Sequence, residues 1–199
     1  MNNLFDLFLT FGKKKIYKAN DVIFNENDIC DSVSFINKGK IKISTFSSNE
    51  GEIIINLLNK NEFFGDLLLF SSKPSYYGMV ICLEKSEVYS IKKEKLLEIF
   101  VSNKLFLEEF LVLISNKGVA LKQINKLLTH KNIEERVTYY LNHVCKKNND
   151  DFVYFKSITD MANILSIPRP SLSRVLHKME REGKIKIFKN KIKIWNTIY

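Results

Sequence analysis

Residues 157–187 read SITDMANILSIPRPSLSRVLHKMEREGKIKI, and the pattern inside them decides how the C-terminal third folds. Ser157-Ile158-Thr159-Asp160 predicts a helix start with Thr159 as the N-cap, and Met161, Ala162 and Leu165 form the inward side of that short helix. Ser166-Ile167-Pro168 ends it and turns the chain. Pro168 and Pro170 then fall at the cap and in the first turn of a second helix, where a missing backbone N–H costs little. Leu172, Val175, Leu176 and Met179 recur at i, i+3, i+4 and i+7 as its packed stripe. The opposite side is left to Arg169, Ser173, Arg174 and His177, with Ser171 beside them at the N-terminal end. Gly183 stops the helix. Ile185 and Ile187, then Ile192 and Ile194, alternate with lysines around Lys189-Asn190, which predicts a two-stranded hairpin. Helix, turn, helix and wing follow in order.

The placement of arginine says what such an array could touch. Only four of the 31 basic residues are arginine, and three of those, Arg169, Arg174 and Arg181, crowd into the second helix. A rigid, bidentate guanidinium suits a planar acceptor pair such as guanine O6/N7 in the DNA major groove, whereas lysine serves as a point charge. The second helix of this arrangement enters the groove N-terminus first, so Arg169, Ser171, Ser173, Arg174 and His177 are the candidate base contacts. Lys156, Thr159, Lys189 and Lys191 flank it as candidate phosphate contacts. Charge is divided accordingly: residues 130–199 hold 14 basic side chains against 7 acids, while residues 1–129 hold 17 against 15. A polyanion is expected to meet the C-terminal third.

Upstream the periodicity differs. From Lys15 to about Ile91 short β-branched or aromatic runs (Val22–Phe24, Val33–Ile36, Ile41–Ser44, Glu52–Leu57, Met79–Cys82) alternate with turn signals at Asn25–Asp28, Asn37–Gly39 and Ser47–Gly51. That spacing predicts a β-roll. Beyond Glu94 a heptad appears: Leu107, Ile114, Leu121 and Leu128 lie seven apart with Phe110 and Ile124 between them, interrupted at Lys117-Gly118. A strict stripe on a helix of this length predicts pairing with a second copy, so these six residues are the expected dimer seam. A further helix is expected over roughly Ile133–Cys145, packed through Val137, Tyr140, Leu141 and Val144, and Lys146–Asp151 reads as a polar break. The fold class is α+β, in three parts: a β-roll over 1–103, a dimerisation helix over 104–130 and a winged helix-turn-helix over 131–199.

Composition narrows the setting. A 45% hydrophobic content over 199 residues can bury real cores. Cys30, Cys82 and Cys145 are widely spaced and form no C-x-x-C pair, which fits a reduced, cytoplasmic environment. No apolar run reaches the roughly 18 residues of a membrane helix, and no membrane partner is expected.

The order β-roll, long helix, winged helix-turn-helix, together with NEFFGDLLLF at 61–70 and the segment at 157–187, resembles the Crp/Fnr family of bacterial transcription regulators, named for the cyclic-AMP receptor and the fumarate-nitrate reduction regulator. The resemblance covers nearly the whole chain. It implies a cyclic-nucleotide-binding-like jelly roll that receives a signal, a homodimer on a near-palindromic double-stranded DNA operator, and RNA polymerase as a further partner open to it.

Departures from the family pattern bear on the signal. Members that bind cyclic nucleotide carry Gly-Glu-Leu and, some ten residues on, an Arg followed by Ser or Thr. Here the first element reads Gly65-Asp66-Leu67, the second reads Tyr76-Tyr77, and no arginine precedes Arg136. A phenol cannot neutralise a phosphate, so ordinary cyclic-AMP binding is not expected. Residues 1–29 hold no cysteine, so the family's iron-sulfur cluster is not expected either. Haem stays open through Cys30 or Cys82, each of which reads equally as a small buried hydrophobe. A persisting effector pocket would be walled by Gly65, Asp66, Leu67, Tyr76 and Tyr77, with Leu121 and Lys122 from the long helix. Alternatively, the two tyrosines fill it and abundance alone controls the protein. Pro170 stands where many members place a base-contacting Glu, implying a different operator.

Two other classes compete. A cupin-type enzyme needs histidines on neighbouring strands, and all three histidines, His130, His143 and His177, lie in the C-terminal half, so no catalytic residues are assigned. A β-roll signalling module acting on a protein partner, without sequence-specific DNA binding, is the remaining alternative.

Overall fold

A computed structural model describes residues 4–48, 51–144, 152–155 and 157–195. The chain forms two compact units, Met1–Ile114 and Ser115–Tyr199.

The first unit runs α1 (Leu4–Phe11), β1 (Lys13–Tyr17), β2 (Val22–Phe24), β3 (Ser32–Lys38), β4 (Ile41–Ser47), β5 (Gly51–Leu58), β6 (Phe63–Phe64), β7 (Met79–Cys82), β8 (Ser86–Lys92), α2 (Lys93–Ser102) and the start of α3 (Lys104–Thr129). Its strands make two four-stranded antiparallel sheets, ordered β1-β8-β3-β6 and β2-β7-β4-β5. This is the expected β-roll. Strand β3 is buried from Ser32 to Ile36, as a strand covered on both sides must be. On one side lies α1, whose Phe8 ring sits 5.0 Å from Phe63 and 6.3 Å from Phe35. The polar positions of β3 are paired: Ser34 Oγ and Ser90 Oγ on β8 are 2.8 Å apart. Strand β5, at the edge of its sheet, is exposed from Gly51 to Leu57 despite Ile53-Ile54-Ile55.

The second unit contains the rest of α3, then α4 (Ile133–Tyr139), β9 (Phe152–Tyr154), α5 (Ile158–Leu165), α6 (Arg169–Arg181), β10 (Ile185–Ile187) and β11 (Lys191–Ile194). The core is Leu127, Val137, Leu141, Val153, Met161, Leu165, Leu172, Leu176, Met179 and Ile192 among others. The residues expected to face inward in α5 and α6 are in it, Val175 packing against its rim. The sheet is three-stranded, ordered β10-β11-β9, and β10 meets β11 in the expected hairpin register, Ile185 opposite Ile194 and Ile187 opposite Ile192.

Several local expectations are corrected. The N-cap of α5 is Ser157, not Thr159: Ser157 Oγ accepts from Asp160 N at 3.0 Å and donates to the Asp160 carboxylate at 2.9 Å, closing a reciprocal box. Thr159 is the second residue inside the helix. The helix expected over Ile133–Cys145 holds α geometry only to Tyr139 and then widens into a π-helical turn, Tyr140–Val144. Cys145 and the polar break at 146–151 lie outside the described residues. Helix α1 and strand β9 are not among the elements expected from sequence, the one being eight residues long and the other three. Among the described residues no helix is long and apolar enough to cross a membrane.

Candidate nucleic-acid interface

The interface is built on α6, and both its ends follow from local chemistry. At the start, Pro168 O accepts from Ser171 N at 2.9 Å and Leu172 N at 3.1 Å, so Arg169 and Pro170 occupy the two positions with no intrahelical acceptor, and Pro170 brings no N–H to satisfy. At the end, Gly183 N reaches Glu180 O and Lys184 N reaches Met179 O, both at 3.0 Å, the doubly bonded helix stop that needs a left-handed residue. Gly183 supplies it with φ +70°. The preceding helix stops in the same way, with Ser166 at φ 51°, Ser166 N on Asn163 O and Ile167 N on Ala162 O. That left-handed serine makes the turn between the two helices.

With Leu172, Leu176 and Met179 in the core, the opposite side of α6 faces out. Arg169, Arg174 and His177 are exposed, and Ser171 and Ser173 are half-buried. None of the five residues singled out for base contact is in the core. Arg174 makes only long contacts inside its own helix, Nε to Pro170 O and Nη2 to Ser171 Oγ, each 3.4 Å. Neither Arg169 nor Arg174 pairs with an acid among the described residues. His177 Nδ1 lies 3.8 Å from the Glu180 carboxylate.

The fourth arginine does something else. Arg136 Nη2 and Nε donate to His130 O at 2.9 and 3.3 Å, and Nη1 donates to Leu165 O at 3.0 Å. It ties the carbonyl ends of α3 and α5 together. Close by, Glu134 accepts from Lys178 at 2.7 Å on α6 and from Lys184 at 2.8 Å at the entry to the wing. Those hydrogen bonds, Lys178 first and Lys184 second, hold the Glu134 carboxyl below its ordinary range, and the same contacts raise the Lys184 ammonium. Glu180 accepts from Ile187 N at 3.0 Å. Neither Arg136 nor Glu134 was singled out from sequence, because the carbonyls and ammoniums they meet are 6 to 50 residues away along the chain.

Of the flanking residues, Thr159 and Lys189 are exposed and Lys191 is half-buried, while Lys156 lies outside the described residues. Lys191 Nζ sits 4.3 Å from the centroid of the Phe152 ring.

The candidate effector residues divide between the two units. Gly65, at φ +78°, has space for no side chain: a Cβ would stand 2.6 Å from Ser32 O. Asp66 is buried. Tyr76 is only 2% exposed, and its ring stacks on Phe24 at 4.4 Å inside the core, beside the Cys30 thiol. Burial above all, then the neighbouring Cys30, raises the Tyr76 hydroxyl far above its usual titration range. Tyr77 is 52% exposed and Leu67 43% exposed; burial of the phenol, then the charge of Asp66, also raises the Tyr77 hydroxyl. Leu121 and Lys122 are exposed residues of the second unit. A cyclic phosphate does not fit what is present, because the first unit has no arginine and Tyr76 is turned inward. Cys30 and Cys82 are 2% and 0% exposed, with thiols raised chiefly by burial. Among the described residues no group of His, Cys, Asp and Glu is placed to hold a metal ion.

Of the six heptad residues, Phe110 belongs to the first unit's own core, 5.1 Å from Phe100 and 6.1 Å from Phe70, and Leu107 and Ile114 pack partly against that core. Phe110 is thereby spent within the protomer and leaves the expected seam. Ile124 is half-buried, and Leu121 and Leu128 are 52% and 40% exposed.

A β-roll, a long helix and a winged helix-turn-helix, with Arg169 and Arg174 exposed on the second helix of the last part, follow one another along the chain. Residues 14–103 match the cyclic nucleotide-binding domain. The chain is 23% identical to the anaerobic regulatory protein of Bacillus subtilis over 94% of its own length and 81% of that protein. It is 25% identical to the cAMP-activated global transcriptional regulator Vfr of Pseudomonas aeruginosa over 92% and 89%. The fold is shared with the OCPA-complexed structure of CprK at a TM-score of 0.74 and 18% identity, over 96% of this chain and 91% of that one. Over nearly its whole length the chain is similar to transcription regulators of the Crp/Fnr type, and residues 14–103 carry that group's cyclic nucleotide-binding domain. The first two of these relatives are regulators by name.

Proposed function

We propose that the chain is a sequence-specific DNA-binding regulator acting as a homodimer on a near-palindromic duplex operator in the cytoplasm, and that its signal is something other than cyclic AMP, or its own abundance. Arg169, Ser171, Ser173, Arg174 and His177 read base edges; Lys156, Thr159, Lys189 and Lys191 hold phosphates. The observation that supports this reading is the outward presentation of Arg169 and Arg174 on the first turns of α6, with no acid partner among the described residues, in a chain whose Arg136 serves structure. Pairing through α3 rests on Leu121 and Leu128, with Ile124 beside them. Tyr76 supports the view that the old nucleotide site is filled, which leaves Tyr77 and Leu67 as the exposed wall of any effector site in the roll.

The test is retention of genomic fragments in a mobility-shift assay, run beside sedimentation of the Leu121→Glu variant. The reading expects a discrete set of retained fragments, and a variant that sediments as monomer and loses that set. Smooth, salt-limited binding of all fragments would favour the protein-partner module instead, and an unchanged dimer would move the seam off this helix.

A further inference from the structure

The wing sheet has an outer surface, of which the duplex reading uses only Lys191. Ile192 and Ile194 on β11 and Val153 on β9 point into the core; Lys191 and Lys193 therefore point away from it, followed at the same two-residue period by Trp195. On the neighbouring strand Tyr154 is opposite Lys191 and Phe152 is opposite Lys193. Phe188 closes the hairpin next to them, its N–H on Lys191 O at 2.8 Å.

The result is a row in which rings and ammoniums alternate. Lys191 Nζ lies 5.7 Å from the Phe188 centroid and 4.3 Å from Phe152; Lys193 Nζ lies 5.7 Å from Phe152 and 4.4 Å from Trp195. Tyr154, Trp195 and Phe188 are 60%, 53% and 42% exposed. A soluble surface gains nothing by holding three large rings in water, so a contiguous exposed set marks a contact surface. From Gly183 to Trp195 the chain carries five lysines and no acid. Of these lysines, Lys184 and Lys186 already pair with Glu134, Glu182 and Glu180, while Lys191 and Lys193 pair only with rings among the described residues. Asp150 and Asp151, the nearest acids before Phe152, lie outside the described residues.

Flat apolar faces spaced by positive charge are what an unpaired nucleic-acid strand requires: bases stack on rings and phosphates meet the ammoniums between them. A duplex keeps its base faces to itself and could use only the lysines; an acidic polypeptide could use the charge but offers no stacked series. We propose that the outer surface of the wing sheet, Phe152, Tyr154, Phe188 and Trp195 with Lys191 and Lys193, binds single-stranded nucleic acid. This site goes beyond the duplex reading and does not depend on it. Lys191 is then shared between the two, so that duplex and single strand compete at the wing but not at α6.

Trp195 is the only tryptophan in the chain, so its fluorescence reports on this surface alone. The full chain is titrated with a short oligothymidylate, with inorganic polyphosphate as a strand of charge without bases, and with polyglutamate as an acidic polypeptide. The expected result is saturable quenching by oligothymidylate and none by polyphosphate or polyglutamate at equal charge. Phe152→Ala is expected to weaken oligothymidylate binding at least about 5-fold, the lower end for one lost base–ring stack. Phe188→Ser, at the hairpin tip, is expected to do the same while leaving thermal unfolding unchanged, which separates lost contact from lost fold. The Arg169→Ala/Arg174→Ala variant is expected to keep full quenching, so failure of the duplex reading would leave this one standing. Absence of quenching by oligothymidylate, equal quenching by polyphosphate, or tighter binding of polyglutamate would each overturn the proposal.

Discussion

Helix α6, which the proposed function makes the DNA-reading element, and the Gly65–Tyr77 segment, where the resemblance implies an effector pocket, present their polar side chains in opposite ways. On α6 the polar side chains are outside, supported from behind by leucines and from the ends by Pro168 and Gly183. In the roll the corresponding chemistry has gone inside: Asp66 is buried, Tyr76 stacks on Phe24, and no guanidinium is available. The two elements belong to separate cores that share no buried residue among those described, so under the proposed function a DNA-reading surface can be kept while an effector site is rebuilt.

The sharpest way to break the contrast is Tyr76→Ala. If the ring is structural filling, its removal costs about 3–5 kcal/mol, as for other large buried aromatics, and urea unfolding of the first unit shifts accordingly. A loss below about 1 kcal/mol would mean that the ring lines an open cavity and that the roll still has room for a ligand. Next in size is Arg136→Met, which keeps the volume and removes three donations to carbonyl oxygens. It should lower the stability of the second unit by about 2 kcal/mol without altering which fragments are retained. That outcome separates the positioning arginine from the reading ones.

The smallest effect is electrostatic. Because Lys178 and Lys184 depress the Glu134 carboxyl, the unfolded chain binds more protons than the folded one below the ordinary carboxylate value of 4.5. The contribution is therefore fully present at neutral pH and lost as pH falls through the depressed value. Thermal unfolding followed between neutral and acidic pH should show a stability slope in that window, and Glu134→Gln should flatten it. No flattening would mean that Glu180 and Glu182, depressed by their own contacts with Ile187 N and Lys184, carry the slope instead.

How much of this was legible beforehand depends on the range of the interaction. The packed stripe of α6, the stop at Gly183 and the register of the wing hairpin are written in neighbouring residues, and they were readable at that range. The β-roll followed from turn signals at regular spacing, although β8, which joins β1 to β3, was not separately recognised. What escaped was non-local or ambiguous. The choice of Ser157 over Thr159 as cap turns on which hydroxyl meets Asp160 N. The assignment of Phe110 to a seam failed because a heptad cannot say whether a ring faces a second copy or the protomer's own Phe100. Tyr76 gave its identity from sequence but not its direction, which is set by Phe24, more than fifty residues earlier. The aromatic–lysine row of the wing was invisible because it needs β9, a strand of three residues, to be placed beside β11.

The central claim is that Arg169 and Arg174 read bases. Its most direct test is the affinity of the Arg174→Ala variant for one retained fragment against bulk genomic DNA, compared with the wild-type chain at the same salt concentration. The account predicts that the preference for the fragment falls by about 1–3 kcal/mol per lost forked contact, roughly 5- to 150-fold, while binding to bulk DNA changes little. Undiminished preference, or an equal loss of affinity for both DNAs, would contradict it.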